Sequence, residues 1–404
     1  TQASYAEPQA PGDGSGFANS QERRTASIVG LLYFVRMLGL FSILPVFALA
    51  AAELFDSGPA AIGLTLGIYG LFQAVLQIPL GALSDRFGRK PILIGGLLVF
   101  IIGSLIAGLA QRIEWIVLGR ALQGSGAIAG VLLAVVGDGL RLEYRARAMA
   151  MIGGGIGLAF GFSLVVGPLL YQFGGLAALF FLAAITGMLA LVLVLFFLPE
   201  LDAEYQHPRS SGGVVEVLRD GALQTLNLSI FMNHFLLMAG FVVIPALLEK
   251  LGLLIEDHAL LYFGLLVGSF FLMLPLIFKF RGASRLVNQL LPAVLIIGAS
   301  LLTMMVSASL LPFLFALLIF FVGFNYLEAT LPTLVSQIAT EAHRGAAMGA
   351  YSSAQFLGIF AGGSLGGLLL ALSDLTTLVM ANVAMVGLWI AVLLFRGRTE
   401  LQKA

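Results

Sequence analysis

Residues 81–91 read Gly81-Ala-Leu-Ser-Asp85-Arg86-Phe-Gly88-Arg89-Lys90-Pro91, a short run of charges between two long apolar stretches. The flanking stretches, 61–80 and 92–109, contain no charged residue. Each is about long enough for a helix to cross a hydrocarbon layer roughly 30 Å thick. The pattern therefore predicts two membrane-spanning helices joined by a tight, positively charged loop.

The composition extends this prediction to the whole sequence. Of the 404 residues, 59% are hydrophobic and 10% are charged, whereas soluble domains carry about 25% charged residues. A soluble fold could not bury so much apolar surface, so we predict an all-α integral membrane protein. The absence of cysteine excludes disulfides and thiolate metal sites.

Twelve apolar segments follow one another, each about the length of a helix that crosses a bilayer. They lie at 25–49, 60–82, 91–110, 114–137, 147–171, 176–198, 222–248, 258–279, 289–308, 311–338, 344–371 and 375–395. The longest polar connection follows the sixth segment and is rich in Pro, Ser and Gly, which is typical of a flexible linker. We therefore expect a disordered cytoplasmic tail (1–22), an N-terminal six-helix bundle (23–198), a linker (199–221), a C-terminal six-helix bundle (222–396) and a second tail (397–404).

The positions of lysine and arginine predict the orientation of these helices. If successive helices cross the membrane in alternating directions, all but four of the 21 lysine and arginine residues fall on one side of it. Arg112 and Lys250 fall on the other side, and Arg36 and Arg120 lie within helices. Because Lys and Arg accumulate in cytoplasmic loops, we expect both termini in the cytoplasm.

The two predicted bundles resemble each other. Arg145-Ala-Arg-Ala-Met149 begins the fifth segment and Arg344-Gly-Ala-Ala-Met348 begins the eleventh, and both lead into glycine-rich helices. Repeated bundles of this kind usually enclose a substrate path at their interface, so the pattern favours transport. The glycine runs lie in apolar helices and lack the lysine of a nucleotide-binding loop, so we expect neither an enzyme nor a nucleic-acid-binding protein.

Three motifs resemble those of the major facilitator superfamily. The residues similar to its motif A are Gly81, Asp85, Arg86, Gly88, Arg89 and Lys90. Residues 119–126 in the fourth helix resemble motif B. The residues that resemble part of motif C, the antiporter motif, are Gly154, Gly167 and Pro168, while Ser163, Tyr171 and Gln172 depart from it. Residues 23–396 together resemble the proton-driven drug-efflux members of the family.

This resemblance implies a fold and a function. The expected fold has twelve transmembrane helices in two pseudo-symmetric six-helix bundles, in a bacterial inner membrane. The expected function is export of a hydrophobic small molecule in exchange for protons by alternating access, with no cofactor besides the coupling proton. The alternatives are a facilitator or importer of another solute and a non-transporting scaffold subunit of a membrane complex.

The resemblance also bears on partners and on domains. We expect a monomer that interacts with a small-molecule substrate and the lipid bilayer, with a larger membrane complex as the alternative. The members that the sequence resembles most include a soluble C-terminal domain after the last helix. The sequence ends at Ala404, and we expect it to lack that domain.

The resemblance further implies that Asp85, Arg89 and Asp138 form a cytoplasmic latch with Arg344 at the start of the eleventh helix. The latch would hold that side closed when the protein faces outward, and Gly81 would let another helix approach. The cations could instead serve topology alone, but topology requires neither Gly81 nor Asp85. Asp138 could instead cap a helix end.

Glu328 is the only acid deep inside any predicted helix. A carboxylate there is costly unless it is paired or protonated. We therefore hypothesise that Glu328 carries the coupling proton. A fixed salt bridge to Arg36 or Arg120 is the alternative. Each arginine could equally have a structural role, and Arg36 could bind backbone carbonyls or an anionic substrate group.

Uncharged polar groups complete the candidate site. His234 in the seventh helix joins Glu328, Arg36 and Arg120 as a candidate for proton coupling. The candidate cavity-lining residues are Gln73, Gln77, Gln123, Asn233, Asn325, Tyr351 and Gln355. Such groups either line a cavity or bind neighbouring helices together.

Overall fold

The computed structural model describes residues 19–199, 213–279, 283–340 and 343–396, which form α-helices and no β-strands. The helices are α1 (Ser20–Phe41), α2 (Phe47–Phe55), α3 (Pro59–Phe87), α4 (Arg89–Gly108), α5 (Ile113–Ser125), α6 (Ala129–Gly139), α7 (Leu142–Val192), α8 (Gly213–Arg219), α9 (Gly221–Phe241), α10 (Ile244–Lys250), α11 (His258–Lys279), α12 (Ala283–Val306), α13 (Leu310–Ile338), α14 (Arg344–Leu372) and α15 (Leu375–Val392). The predicted all-α class is confirmed.

Short polar residues begin several of these helices. The side chain of Asn19 accepts a hydrogen bond from the Glu22 backbone N–H at 2.8 Å. In the same way, Asp220 Oδ1 accepts from the Leu223 N–H at the start of α9 at 2.9 Å, and Asp374 Oδ1 accepts from the Thr377 N–H at the start of α15 at 2.8 Å. Each carboxylate or amide oxygen satisfies a backbone donor that lacks a partner within its helix.

Ten helical segments of the described chain are long and apolar enough to cross a membrane. The bent pair α9 and α10, with an angle of 40° between them, supplies an eleventh. One of the ten, Arg147–Phe197, includes most of α7, which itself has 51 residues. A helix rises 1.5 Å per residue, so α7 has the length of two crossings.

The chain folds back on itself within α7, at Gly174–Gly175. Both residues have non-helical backbone angles, and the second has a φ of 62°, which favours glycine. Both halves of α7 contact the same end of α1, because Gly167 approaches Ser42 and Gly39 approaches Ala183. The two halves therefore lie side by side as separate spans, which brings the total in the described part of the chain to twelve, the predicted number.

Three predicted helices are broken in the structure. The first (25–49) is divided into α1 and α2, the fourth (114–137) into α5 and α6, and the seventh (222–248) into α9 and α10. Pro45 lies in the first break and Gly126 in the second. An unbroken apolar pattern does not reveal such breaks, because a tilted pair of short helices presents the same residues to lipid.

Helix α14 packs closely on both α3 and α9 through its glycines. A side chain added at Gly63 of α3 would overlap the backbone of Gly363 and Gly367, and one added at Gly362 would overlap the carbonyl of Phe235 in α9. Small residues let helix backbones approach in this way. We call the contact of α3 with α14 around Gly63, Gly363 and Gly367 the glycine seam.

The predicted tails and linker fall largely outside the described residues. The tail 1–22 is described from residue 19, and the tail 397–404 lies outside the described residues. Of the linker 199–221, the structure describes residue 199 and residues 213–221, where α8 forms and contacts α14. The boundaries of the two bundles stay a prediction.

Candidate functional site

Glu328 lies near the middle of α13. Its Oε1 accepts a hydrogen bond from Asn233 Nδ2 at 3.2 Å and lies 3.5 Å from His234 Nδ1. The side chain is 27% exposed. Among the described residues Glu328 forms no ion pair with an arginine, so the salt bridge considered from the sequence is not formed in this structure.

His234 connects Glu328 to α14. The Gln355 amide donates to His234 Nε2 at 2.9 Å, so the proton of the neutral ring lies on Nδ1. That Nδ1 faces both the Ile230 carbonyl, at 3.3 Å, and Glu328. Tyr351, also on α14, is buried and within electrostatic reach of Glu328. Side chains of α9, α13 and α14 thus surround one carboxyl group.

An aromatic cluster lies beside this carboxyl group and includes residues from both predicted bundles. The Phe324 ring is 5.6 Å from the His234 ring and 6.0 Å from Phe160 of α7. Phe160 in turn contacts Phe41 of α1 at 5.5 Å. The sequence does not single out these rings, because phenylalanine is abundant in most of the apolar segments.

Arg120 is 2% exposed and binds groups within the first four predicted helices. Its Nη1 donates to Gln123 Oε1 at 2.9 Å and its Nε donates to the Thr65 carbonyl at 3.3 Å. Gln123 in turn donates to Ser104 Oγ at 2.8 Å. The guanidinium also lies over the Tyr69 ring, 5.1 Å from its centre. In this conformation Arg120 holds α3 against α5.

Arg36 is 1% exposed and also binds uncharged groups. Its Nη2 donates to Gln73 Oε1 at 3.0 Å and to the Gly126 carbonyl at 2.9 Å. Tyr69 donates to the same Gln73 oxygen at 3.0 Å. Arg36 therefore joins α1 to α3 and to the break between α5 and α6.

The seven predicted cavity-lining residues fall into two groups. Those around Glu328 are Asn233, Tyr351 and Gln355. Those that bind helices together are Gln73, Gln77, Gln123 and Asn325, the last donating to Ser269 Oγ at 3.0 Å. The sequence pattern alone cannot separate the groups, since both roles place a polar residue in an apolar helix.

Gln77 joins α3 to α14 beyond the glycine seam. Its Nε2 donates to Ser353 Oγ, and its Oε1 accepts from Ser352 Oγ at 3.4 Å. The side chain is buried. Sequence reasoning missed both serines, because serine is common in membrane helices and no spacing distinguishes this pair.

Three of the residues predicted to form the latch contact one another. Arg89 Nη1 contacts Asp85 and Arg89 Nη2 lies 2.7 Å from Asp138 Oδ2, with the Arg89 side chain 9% exposed. Ser84 Oγ accepts a further bond from Arg89 at 2.6 Å. Arg344 forms no ion pair with these residues in the described part of the chain, and its Nε donates to the Ser336 carbonyl at 3.0 Å. The structure thus brings together three of the four predicted residues.

The other motif A residues shape the turn between α3 and α4. Gly88 separates the two helices with a φ of 90°, a conformation that other residues rarely adopt. Arg86 is exposed and lies over the Phe87 ring, 5.4 Å from its centre. Lys90 is the second residue of α4.

The two ends of the helices differ in how closely α3 and α14 approach. At one end the glycine seam is tightly packed and α2 contacts α10. At the other end, which we call the charged end because Arg89, Asp138 and Arg344 lie there, a side chain added at Gly81 or Gly345 would meet no described atom within 4 Å. The helices α3 and α14 are therefore in close contact at the seam and also through Gln77, one turn before Gly81. At Gly81 and Gly345 themselves, no described atom comes this close.

The motif C residues have separate surroundings. Gly167 allows α7 to approach the Ser42 carbonyl at the break between α1 and α2. Pro168 follows it inside α7. A side chain added at Gly154 would meet no described atom within 4 Å.

The sequence matches the Major Facilitator Superfamily over residues 29–363. The chain belongs to the major facilitator superfamily. It is therefore a membrane transporter and not an enzyme, and transporters of this family need no cofactor. The fold predicted from the motifs is confirmed.

Similar proteins agree with this assignment. The inner membrane transport protein YajR of Escherichia coli (strain K12) is 37% identical over 375 residues, which are 92% of this chain and 83% of YajR. An inward-facing, occupied crystal structure of a bacterial homologue of the human lysosomal transporter Spinster has a TM-score of 0.75 at 16% identity, covering 95% of this chain and 98% of that one. The crystal structure of a D-xylose–proton symporter has a TM-score of 0.74 at 15% identity and covers 95% of this chain and 100% of that one. At these identities the two structures show the fold alone.

Arg89→Ala is expected to lower transport about tenfold, because ion pairs of this exposure contribute about 1–2 kcal/mol and 1.4 kcal/mol shifts a conformational equilibrium about tenfold. Arg86→Ala is the matched control, since it removes a neighbouring cation that forms no ion pair among the described residues. We expect it to change transport less than about twofold. Flux in proteoliposomes measures both, and equal losses would mean that the cations serve topology alone.

Proposed function

We propose that this protein exports a hydrophobic small molecule across a bacterial inner membrane in exchange for protons. The observation that carries the proposal is the environment of Glu328. The carboxyl group lies in the middle of a spanning helix, and its partners among the described residues are the neutral groups of Asn233 and His234. An arginine would hold the carboxylate ionised, whereas neutral partners leave it free to bind and release a proton.

Asn233 can stabilise both protonation states of Glu328. Its Nδ2 donates to the carboxylate, as the ionised form requires. Its Oδ1 is buried and has no hydrogen-bond partner among the described residues. A small rotation of the protonated carboxyl group would let it donate to that oxygen. The amide of Asn233 can therefore form a hydrogen bond with Glu328 in both its protonated and its ionised form.

The carboxyl group is also connected to the surface that moves in alternating access. Gln355 and Tyr351 place α14 against His234 and Glu328, and α14 forms the glycine seam with α3. Protonation of Glu328 changes the charge beside α14, so it can change the relative stability of states open at the seam and at the charged end. The Arg89 cluster is then the contact available to close the charged end in the opposite state.

The surroundings of Glu328 favour an apolar substrate. Phe324 lies beside His234, Phe160 contacts Phe324, and the side chain of Glu328 is 27% exposed. Aromatic faces provide large apolar contact with little loss of side-chain freedom. Arg36 and Arg120 are both buried against uncharged groups, which leaves Glu328 as the charged group of the site.

Location and orientation are part of the proposal. YajR is an inner membrane protein, and the Lys and Arg residues accumulate at the charged end and in the loops on its side. We propose that the charged end faces the cytoplasm, with both termini on that side, and that the protein works as a monomer.

The proposal is tested in proteoliposomes loaded with pyranine, a pH-sensitive dye, with the membrane potential clamped by valinomycin and potassium. Hydrophobic neutral and weakly anionic compounds are added one at a time. We expect at least one compound to cause proton movement through the wild-type protein and none through Glu328→Gln. Compound flux without proton movement would instead support a facilitator, and stable association with a larger complex without flux would support a scaffold subunit.

A further inference from the structure

The break in the fourth predicted span brings several hydrogen-bond donors together. Helix α5 ends at Ser125 and α6 begins at Ala129, in the interior of the first six predicted spans. The residue before α6, Ile128, provides no side-chain cap for the helix. The N-terminus of α6, with its free N–H groups and partial positive charge, therefore faces the break.

Arg36 adds two donors that find no acceptor in the described part of the chain. Its Nη2 makes both of its hydrogen bonds, to Gln73 and to the Gly126 carbonyl in the break. Its Nε and Nη1 are buried and find no hydrogen-bond partner among the described residues. Buried donors of a guanidinium group are costly to leave unpaired, so these two atoms indicate a missing acceptor.

Gln73 provides a third donor of this kind. Its Oε1 accepts from both Arg36 and Tyr69, which determines which end of the amide is oxygen. Its Nε2 is therefore a donor, and it is buried without a hydrogen-bond partner among the described residues. Gln73 is 0% exposed and bonded to Arg36, so the three unpaired donors belong to two side chains in direct contact.

The charge of Arg36 is likewise uncompensated. No carboxylate forms an ion pair with Arg36 among the described residues; its partners there are an amide oxygen, a backbone carbonyl and the Phe100 ring. A buried charge without a counter-charge costs several kcal/mol in a low-dielectric interior. A second buried cation, Arg120, raises this cost, whereas an anion beside Arg36 would remove it.

Closely packed backbones surround the break. A side chain added at Gly126 would overlap the Gly96 carbonyl, and one added at Gly124 would overlap the backbone of Tyr69. Arg36 itself is 1% exposed. A transported organic molecule would not fit between backbones this close, so the missing acceptor is a small one, and a monatomic anion is the smallest acceptor that also supplies a counter-charge.

We propose that Arg36, Gln73 and the N-terminus of α6 bind one chloride ion as a structural anion within the first six spans. The ion accepts hydrogen bonds from the unpaired donors and neutralises the guanidinium. It stabilises the broken fourth span, which Arg36 joins to α1 and α3. The inference does not depend on Glu328 or on the transported substrate.

The test is thermal unfolding of the purified full chain in detergent, in chloride or gluconate at constant ionic strength. We expect chloride, and also bromide, to raise the unfolding midpoint of the wild-type protein by about 2–5 °C in a saturable way. Gln73→Glu places a fixed carboxylate beside Arg36 in nearly the same volume. We expect it to be as stable in gluconate as in chloride, because the carboxylate takes the place of the ion.

Two results would overturn the proposal. Equal midpoints for the wild-type protein in chloride and gluconate would mean that the unpaired donors bind water. An undiminished chloride effect in Gln73→Glu would place the anion elsewhere on the protein. If Gln73→Glu does not fold, wild-type crystals grown in bromide decide the matter, since an anomalous peak beside Arg36 is expected and its absence would exclude the ion.

Discussion

Glu328→Gln is expected to abolish proton-driven accumulation of substrate. With the membrane potential held at zero, a gradient of one pH unit supplies about 1.4 kcal/mol per proton, enough for a roughly tenfold concentration ratio of a neutral substrate. Glutamine keeps the shape and the hydrogen bonds of the site but cannot release a proton. The ratio should therefore fall to one, measured as substrate accumulated in proteoliposomes under an imposed pH gradient.

Glu328→Asp is the matched control for this change. It retains a carboxyl group on a shorter side chain, so coupling should persist while the rate falls as the contacts to Asn233 and His234 lengthen. Downhill exchange of substrate should continue in Glu328→Gln. A glutamine variant that still accumulates substrate tenfold at one pH unit would remove Glu328 from the coupling mechanism.

Gly63→Val is expected to open the glycine seam. A side chain at this position overlaps the Gly363 carbonyl and the Gly367 backbone, which cannot move aside as a flexible side chain could. Overpacking of this kind costs about 1–3 kcal/mol, which corresponds to a shift of about 5–150-fold in the ratio of two conformers. The state closed at the seam should lose that much population.

The chain contains no cysteine, so a single cysteine can report this shift without background. Ser364→Cys places the reporter in the seam, where the Ser364 Oγ is buried next to Gly67. Labelling by a membrane-impermeant maleimide should be slow in the Ser364→Cys protein and at least about fivefold faster when Gly63→Val is added.

Gly81→Val is the control on the same helix, and it should act in the opposite direction. A side chain at Gly81 meets no described atom within 4 Å in this structure, so labelling of Ser364→Cys should not rise. If the charged end closes in the other state, the added side chain would hinder that closure and slow transport. Faster labelling in Gly81→Val than in Gly63→Val would show that the seam does not separate the two states.

The apolar segments predicted the fold because a bilayer imposes a simple rule on sequence. Backbone donors in lipid must form their hydrogen bonds within the spanning helix, and the side chains of that helix must be apolar. Each crossing therefore corresponds to an apolar segment of predictable length in the sequence. Charged loops such as 81–91 mark the ends of these runs. The reversal at Gly174–Gly175 was also predicted, as the short gap between segments that end at 171 and begin at 176.

The candidate site was predicted less completely. Glu328 stands out in the sequence, because an acid in an apolar helix is rare and costly. Its partners Asn233 and His234 were named, and so was Gln355, which bonds to His234. Gln73 and Gln123 were named as well, but they lie elsewhere and bind the two buried arginines. A polar residue in an apolar helix is expected to have a hydrogen-bond partner, but the sequence does not say which residue that partner is.

The sequence by itself determined the number of spans, the charged loop and the one acid placed in the membrane interior, since lipid acts on each segment separately. Only the tertiary structure decided that Glu328 pairs with Asn233 and His234 while Arg36 and Arg120 bind uncharged groups. It alone also showed that the glycines of α3 and α14 meet at the seam, whereas Gly81 has no described neighbour within 4 Å. Those choices depend on how separate helices pack, and the hydropathy of each helix is the same whichever neighbour it contacts.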